Sequence, residues 1–149
     1  MTYRNILVAV DATDEAGEVI KAARELADEK DSTISVVTVI RPMADFYANL
    51  FSILEDDSGT GIDSKALEHT TAWLSDLVKP YGIDDSATNV IVGTPAVEIR
   101  QLAEKIGADL IVLGTHSRHG LGLMLGSTAN AVLHGAPCNV LTVKVRAEG

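Results

Sequence analysis

The chain has 149 residues, with 12 Lys and Arg against 21 Asp and Glu for a net charge of -9. That length makes one domain, spanning 1–149, able to bury roughly two thirds of its unfolded surface without disulfide or metal. The acidic excess, with no segment that concentrates Lys and Arg, argues against a duplex nucleic acid or an anionic membrane as partner.

No apolar run approaches the roughly 20 residues of a membrane span, and no signal-type region precedes the first apolar run. The only cysteine, Cys138, cannot form an internal bridge and sits in an apolar run as a small buried hydrophobe. A soluble domain in the reducing cytoplasm is expected.

The first apolar run, Ile6 to Val10, reads as a strand ending at Asp11. That carboxylate either accepts hydrogen bonds from a ribose diol or caps the helix that starts near Asp14. Ala16, Val19, Ile20, Ala23, Leu26 and Ala27 then fall on one face of a helix. A second strand, Ile34 to Ile40, is followed by a connection from Arg41 to Asp63, long for a unit whose loops usually run about 2 to 6 residues. Met43, Phe46, Tyr47, Leu50 and Leu54 within it have helical spacing and suit a lid, an interface patch or extra core cover. Residues 55–61, acidic and glycine-containing, are expected to be mobile.

Leu67, Thr70, Leu74, Leu77, Val78 and Tyr81 predict a second helix, and Thr88 to Val92 a third strand. Thr94 and Pro95 supply a cap and a first-turn proline for a helix burying Ile99, Leu102, Ala103 and Ile106. A fourth strand, Leu110 to Leu113, leads into the glycine-rich stretch from Gly114 to Gly126. A fourth helix runs from Ser127 to His134, where Gly135 and Pro137 give a stop signal and His134 suits the negative end of the helix dipole. Val140 to Val145 closes the chain as a fifth strand. Strands alternating with helices predict βαβ units, a parallel sheet and a three-layer α/β/α sandwich. The first four strands are nearly continuous in apolar residues, as cover by helices on both faces requires.

In open α/β sheets ligands sit beyond the carboxyl ends of the strands, where strand order reverses, which directs attention to Asp11, Val39 to Arg41, Gly93 and Gly114. A glycine-rich loop between a strand and a helix suits phosphate, because free amides at the helix start point outward and the dipole adds positive charge. Three well-known patterns do not fit. No lysine separates Gly126 from Ser127, as a P-loop needs, and Gly120, Gly122 and Gly126 have one residue too many for a dinucleotide fingerprint and follow the wrong strand. A phospho-acceptor receiver would want an aspartate ending the third strand; Asp11 and Lys144 suit it, but that strand ends Ile91-Val92-Gly93.

The chain resembles the universal stress protein family over nearly its whole length. The resemblance rests on Ile6-Leu-Val-Ala-Val-Asp11, on Gly93-Thr-Pro-Ala-Val-Glu-Ile99, on Ala108 through His116 with Leu125-Gly-Ser-Thr128, and on Ala136-Pro-Cys-Asn-Val-Leu141. It implies a Rossmann-like sheet order, 3-2-1-4-5. It also implies that ATP or another adenine nucleotide binds with Asp11 and Gly114 at the ribose, Val39 main chain and Leu113 at the adenine, and Ser117, Gly126, Ser127 and Thr128 at the phosphates; Mg would enter only as a cation carried by a bound triphosphate. Arg118 adds a fixed positive charge. Ser117 stands where nucleotide-binding members have glycine, and eight rather than nine residues separate it from Gly126. Gly126-Ser127 alternatively does no more than start a helix.

His116 and His119 have metal-like spacing without a third ligand nearby, so a phosphate contact or solvent exposure is the expectation and no metal site is assigned. No general base stands out, so the expected role is a regulatory nucleotide-binding module with at most slow hydrolysis. The alternatives are a nucleotide-free interaction protein, as in a family branch whose loop has lost its glycines, and a phosphotransfer or hydrolytic enzyme built on the same site. The resemblance further implies a homodimer through the strand Asn139 to Val145, whose open edge pairing would cover.

Overall fold

The computed structural model describes residues 3–42, 59–115 and 127–145, with backbone alone for 59–63. Five strands form one parallel sheet in the order β3-β2-β1-β4-β5, where β1 is Asn5–Ala9, β2 Thr33–Ile40, β3 Thr88–Val92, β4 Leu110–Gly114 and β5 Asn139–Val143. Order and direction are those expected. The order reverses at β1, which pairs with β2 on one side and β4 on the other.

The α-helices among the described residues are α1 (Ala16–Leu26), α2 (Gly59–Val78), α3 (Pro95–Ile106) and α4 (Ser127–Leu133), with short 3-10 turns at Lys79–Tyr81 and Asp85–Ala87. Alternation along the strands builds two cores. Ile6, Val8, Val10, Ile34, Val36, Leu110 and Val112 point to one face, where Val19 and Ile20 of α1 and Leu74 and Val78 of α2 cover them. Leu7, Ala9, Val37, Ile111 and Leu113 point to the other, under Ile99 and Ala103 of α3 and Ala129 and Val132 of α4. The three layers follow directly from the period-2 pattern meeting helical stripes.

Cover falls off from the middle outward. The central strands β1 and β4 are almost wholly buried, whereas β3, apolar enough to predict cover on both faces, is only half-buried. Composition reports what a strand could bury; its place at the sheet edge decides what it does bury.

Other expectations need correction. Residues 59–61, expected to be mobile, form the first turn of α2. Two glycines there cost about 1 kcal/mol each relative to alanine, an amount that a 20-residue helix anchored by Leu74 and Val78 absorbs. Thr94 stands at the cap of α3, but its side chain makes no capping bond; its carbonyl accepts from Glu98 N–H at 3.0 Å. α4 ends at Leu133, just before Gly135 as the stop signal predicts, but not through a left-handed glycine, a conformation that among the described glycines belongs to Gly82 and Gly107. The use of Gly135 is room: a Cβ there would lie 3.0 Å from Arg100 Nη1, which donates to the Ala131 carbonyl at 2.8 Å and ties α3 to α4. Met43, Phe46, Tyr47, Leu50 and Leu54, and most of the glycine-rich loop, lie outside the described residues.

Candidate functional site

β1 is short and its neighbour is long. The last hydrogen bond between them runs from Val10 N–H to the Val37 carbonyl at 2.9 Å, while β2 continues to Ile40. Peptide groups of a strand face its two neighbours alternately. Val37 faces β1, and Ile40, whose carbonyl accepts from Gly93 N–H at 2.9 Å, faces β3. Val39 therefore presents its N–H and C=O toward the space past the end of β1, and among the described residues no backbone hydrogen bond takes them up. A donor and an acceptor side by side on a half-buried main chain need a partner.

Asp11 stands at the mouth of the same gap. It is exposed, its carboxylate has no hydrogen bond or ion pair among the described residues, and its carbonyl accepts from Thr13 N–H at 2.8 Å. It does not cap α1, whose cap position is Glu15 with no side-chain capping bond. Of the two uses open to Asp11, capping is thus removed.

On the far side of the gap β4 ends at Gly114, and Thr115 N–H donates to the Val143 carbonyl of β5 at 2.9 Å. By the same alternation the Gly114 carbonyl turns toward β1. The missing side chain at Gly114 also serves packing: a Cβ would approach Val19 Cγ2 to 3.2 Å and Val145 Cγ2 to 3.6 Å. Leu113, only 3 % exposed, spends its side chain in the core under α3 and α4. Ser127 and Thr128 open α4, Ser127 exposed and Thr128 half-buried. Ser117, Arg118 and Gly126, with His116 and His119, lie outside the described residues.

The structure thus brings the ends of β2, β1 and β4 into one crevice at the point where strand order reverses. The open peptide of Val39 cannot be found from residue type, because any residue has an N–H and a C=O; the signal is the difference in length between two paired strands. An open groove of about 610 Å³ lies elsewhere, lined by Leu67, Glu68, Thr71, Ser75 and Asp85 of α2 and the following turn, and by Thr88. Thr88 is the first residue of β3, so this groove sits at the opposite end of the sheet from the crevice.

The remaining groups are quiet. Burial, and after it the charge of Asp109, raises the pKa of the half-buried Cys138 thiol. His134 follows α4, with ring Nδ1 2.7 Å from the Asn130 carbonyl. Among the described residues no three His, Cys, Asp or Glu side chains gather as a metal site would need. No helix among them is long and apolar enough to cross a membrane.

Residues 2–144 match the Universal stress protein family. Universal stress protein A homolog 1 of Coxiella burnetii is 38% identical over 144 residues, covering 96% of this chain and 97% of that one. Among solved structures, universal stress protein UspA from Lactobacillus plantarum superposes with a TM-score of 0.64 at 26% identity, over 96% of this chain and 99% of that one. A universal stress protein solved in complex with cAMP gives 0.63 at 23% identity, over 97% and 98% of the two chains.

Proposed function

The chain belongs to the universal stress protein family, and from that premise we propose that it binds ATP or a related adenine nucleotide as a regulatory module of the cytoplasmic stress response. The observation that carries the reading is the main chain of Val39 beside the carboxylate of Asp11 at the reversal of strand order, both without a partner among the described residues. An adenine edge offers an acceptor and an amine donor, which match one N–H and one C=O. A carboxylate one strand away suits the two hydroxyls of a ribose. Phosphates then fall beyond Gly114, where Ser117, Arg118, Gly126, Ser127 and Thr128 are assigned to them by family resemblance, with Mg carried on the polyphosphate. The solved relative that holds cAMP supports the nucleotide class.

The module acts by holding a nucleotide and changing what it associates with, rather than by turnover. The groups this reading assigns position a ligand, and none of them is assigned as a general base. We assign the dimer to β5, at the sheet margin. Val143 accepts from Thr115 and so faces β4, which leaves the peptide groups of Val140, Thr142 and Lys144 on the open edge beside the exposed Leu141.

One observation favours the nucleotide-free alternative: Val19 and Val145 already account for glycine at 114. Denaturing the purified protein and assaying released adenine nucleotide, then titrating ATP calorimetrically beside Gly126→Asp, separates the two. Binding lost in the variant supports the proposal; no wild-type binding up to millimolar ATP with magnesium ends it. Sedimentation of the same preparation showing only monomer at micromolar concentration ends the dimer.

A further inference from the structure

Continuing the registers past the strand ends gives a row at the carboxyl edge that reads Val39 on β2, Asp11 beyond β1, Thr115 after β4 and Lys144 after β5. Among the described residues Lys144 has no structural employment. It is exposed and makes no hydrogen bond or ion pair among the described residues. Its direction is fixed by its neighbours: Val143 and Val145 both pack into the core beneath α1 and α2, so Lys144 projects to the opposite face, on the α3 and α4 side. Its height is fixed as well, because the Val143 carbonyl just before it accepts from Thr115 N–H, the residue directly after β4.

If the base is held at Val39 and the sugar at Asp11, the only direction left along the row for a phosphate chain is across β4 toward β5. From β2 to β5 is three interstrand spacings, about 14 Å. That is the length scale of an extended nucleoside triphosphate; a monophosphate or a cyclic phosphate stops near β4. Asp11 repels the chain and drives it outward, and a compact, mobile ammonium at the end of the row meets it.

We propose that Lys144 is a phosphate-binding residue that reads the length of the phosphate chain, making the site selective for adenosine triphosphate over adenosine monophosphate. The inference rests on the nucleotide-binding reading above and adds the ligand's phosphate number. Loss of one charge-assisted contact predicts that Lys144→Met weakens ATP binding about tenfold, leaves AMP within about twofold, and that Lys144→Arg recovers most of the loss. Calorimetric titration of ATP and AMP against wild type and both variants tests this, with sedimentation run on each because Lys144 also borders the open edge of β5. A variant that weakens ATP and AMP equally, leaves ATP unchanged, or loses ATP only together with the dimer overturns the role of Lys144 while nucleotide binding stands. A wild type that binds neither nucleotide ends the underlying reading and this one with it.

Discussion

The two ends of the sheet are built to opposite rules. At the amino end, the Asp109 carboxylate accepts from the N–H groups of Arg4 (2.8 Å) and Asn5 (3.0 Å), and Asp109 N–H returns a bond to the Asn5 carbonyl. Asn5 donates to the Ile106 carbonyl, Ser32 Oγ to the Tyr3 carbonyl at 2.6 Å, and Asn139 to the Tyr3 hydroxyl at 3.1 Å. Residues entering β1, β2, β4 and β5 are thus tied together. At the carboxyl end Val39, Asp11 and Lys144 face outward with no such ties among the described residues. Satisfied polar groups hold a fold together, whereas unsatisfied ones are available to a ligand. The difference marks one end for stability and the other for binding.

The contrast is easiest to break at Asp109. Removing a carboxylate that accepts two backbone bonds leaves donors unpaired, so Asp109→Ala is expected to lower unfolding free energy by about 2 kcal/mol with no change in nucleotide affinity. Urea denaturation read beside an ATP titration checks it, and a loss of affinity without a loss of stability would reverse the assignment of the two ends. Asp11→Ala is the converse. Stability should stay within about 0.5 kcal/mol, while ATP affinity falls about tenfold, or 1.4 kcal/mol; if Asp11→Ala destabilises as much as Asp109→Ala, the division into a structural and a binding end is wrong.

The smallest effect concerns Cys138, which enters β5 at the amino end. Its thiol pKa is raised, so the folded state disfavours the thiolate. The sign follows: the stability this contributes is present below the ordinary value of 9.0 and is lost as pH rises through the raised folded value. At pH 8 Cys138 should label with a disulfide reagent more slowly in the native protein than in urea, and equal rates would refute the quiet-thiol reading.

Much of this was legible in particular residues. The apolar runs at Ile6, Ile34, Thr88, Leu110 and Val140 marked every strand to within one residue at its start, because parallel strands need continuous apolar side chains wherever they are placed. Pro95 marked the first residue of α3, and Ile106-Gly107 carried a stop signal that goes unread unless the left-handed turn at Gly107 (φ 68) is anticipated. Asp11 was visible as a candidate, but its freedom from capping was not, since that depends on where α1 begins.

What the sequence determined by itself is the part of the molecule written in local pattern: five strands, the helical stripes that cover them, a parallel sheet and membership of the universal stress protein family. The tertiary structure alone decided which polar groups remain unpaired. β1 stops two residues short of where Val39 could pair with it, and β5 turns Lys144 to the face opposite Val143 and Val145. The reason is physical: side-chain periodicity is carried by each segment, whereas the pairing of a peptide group depends on how far a strand distant in sequence runs beside it.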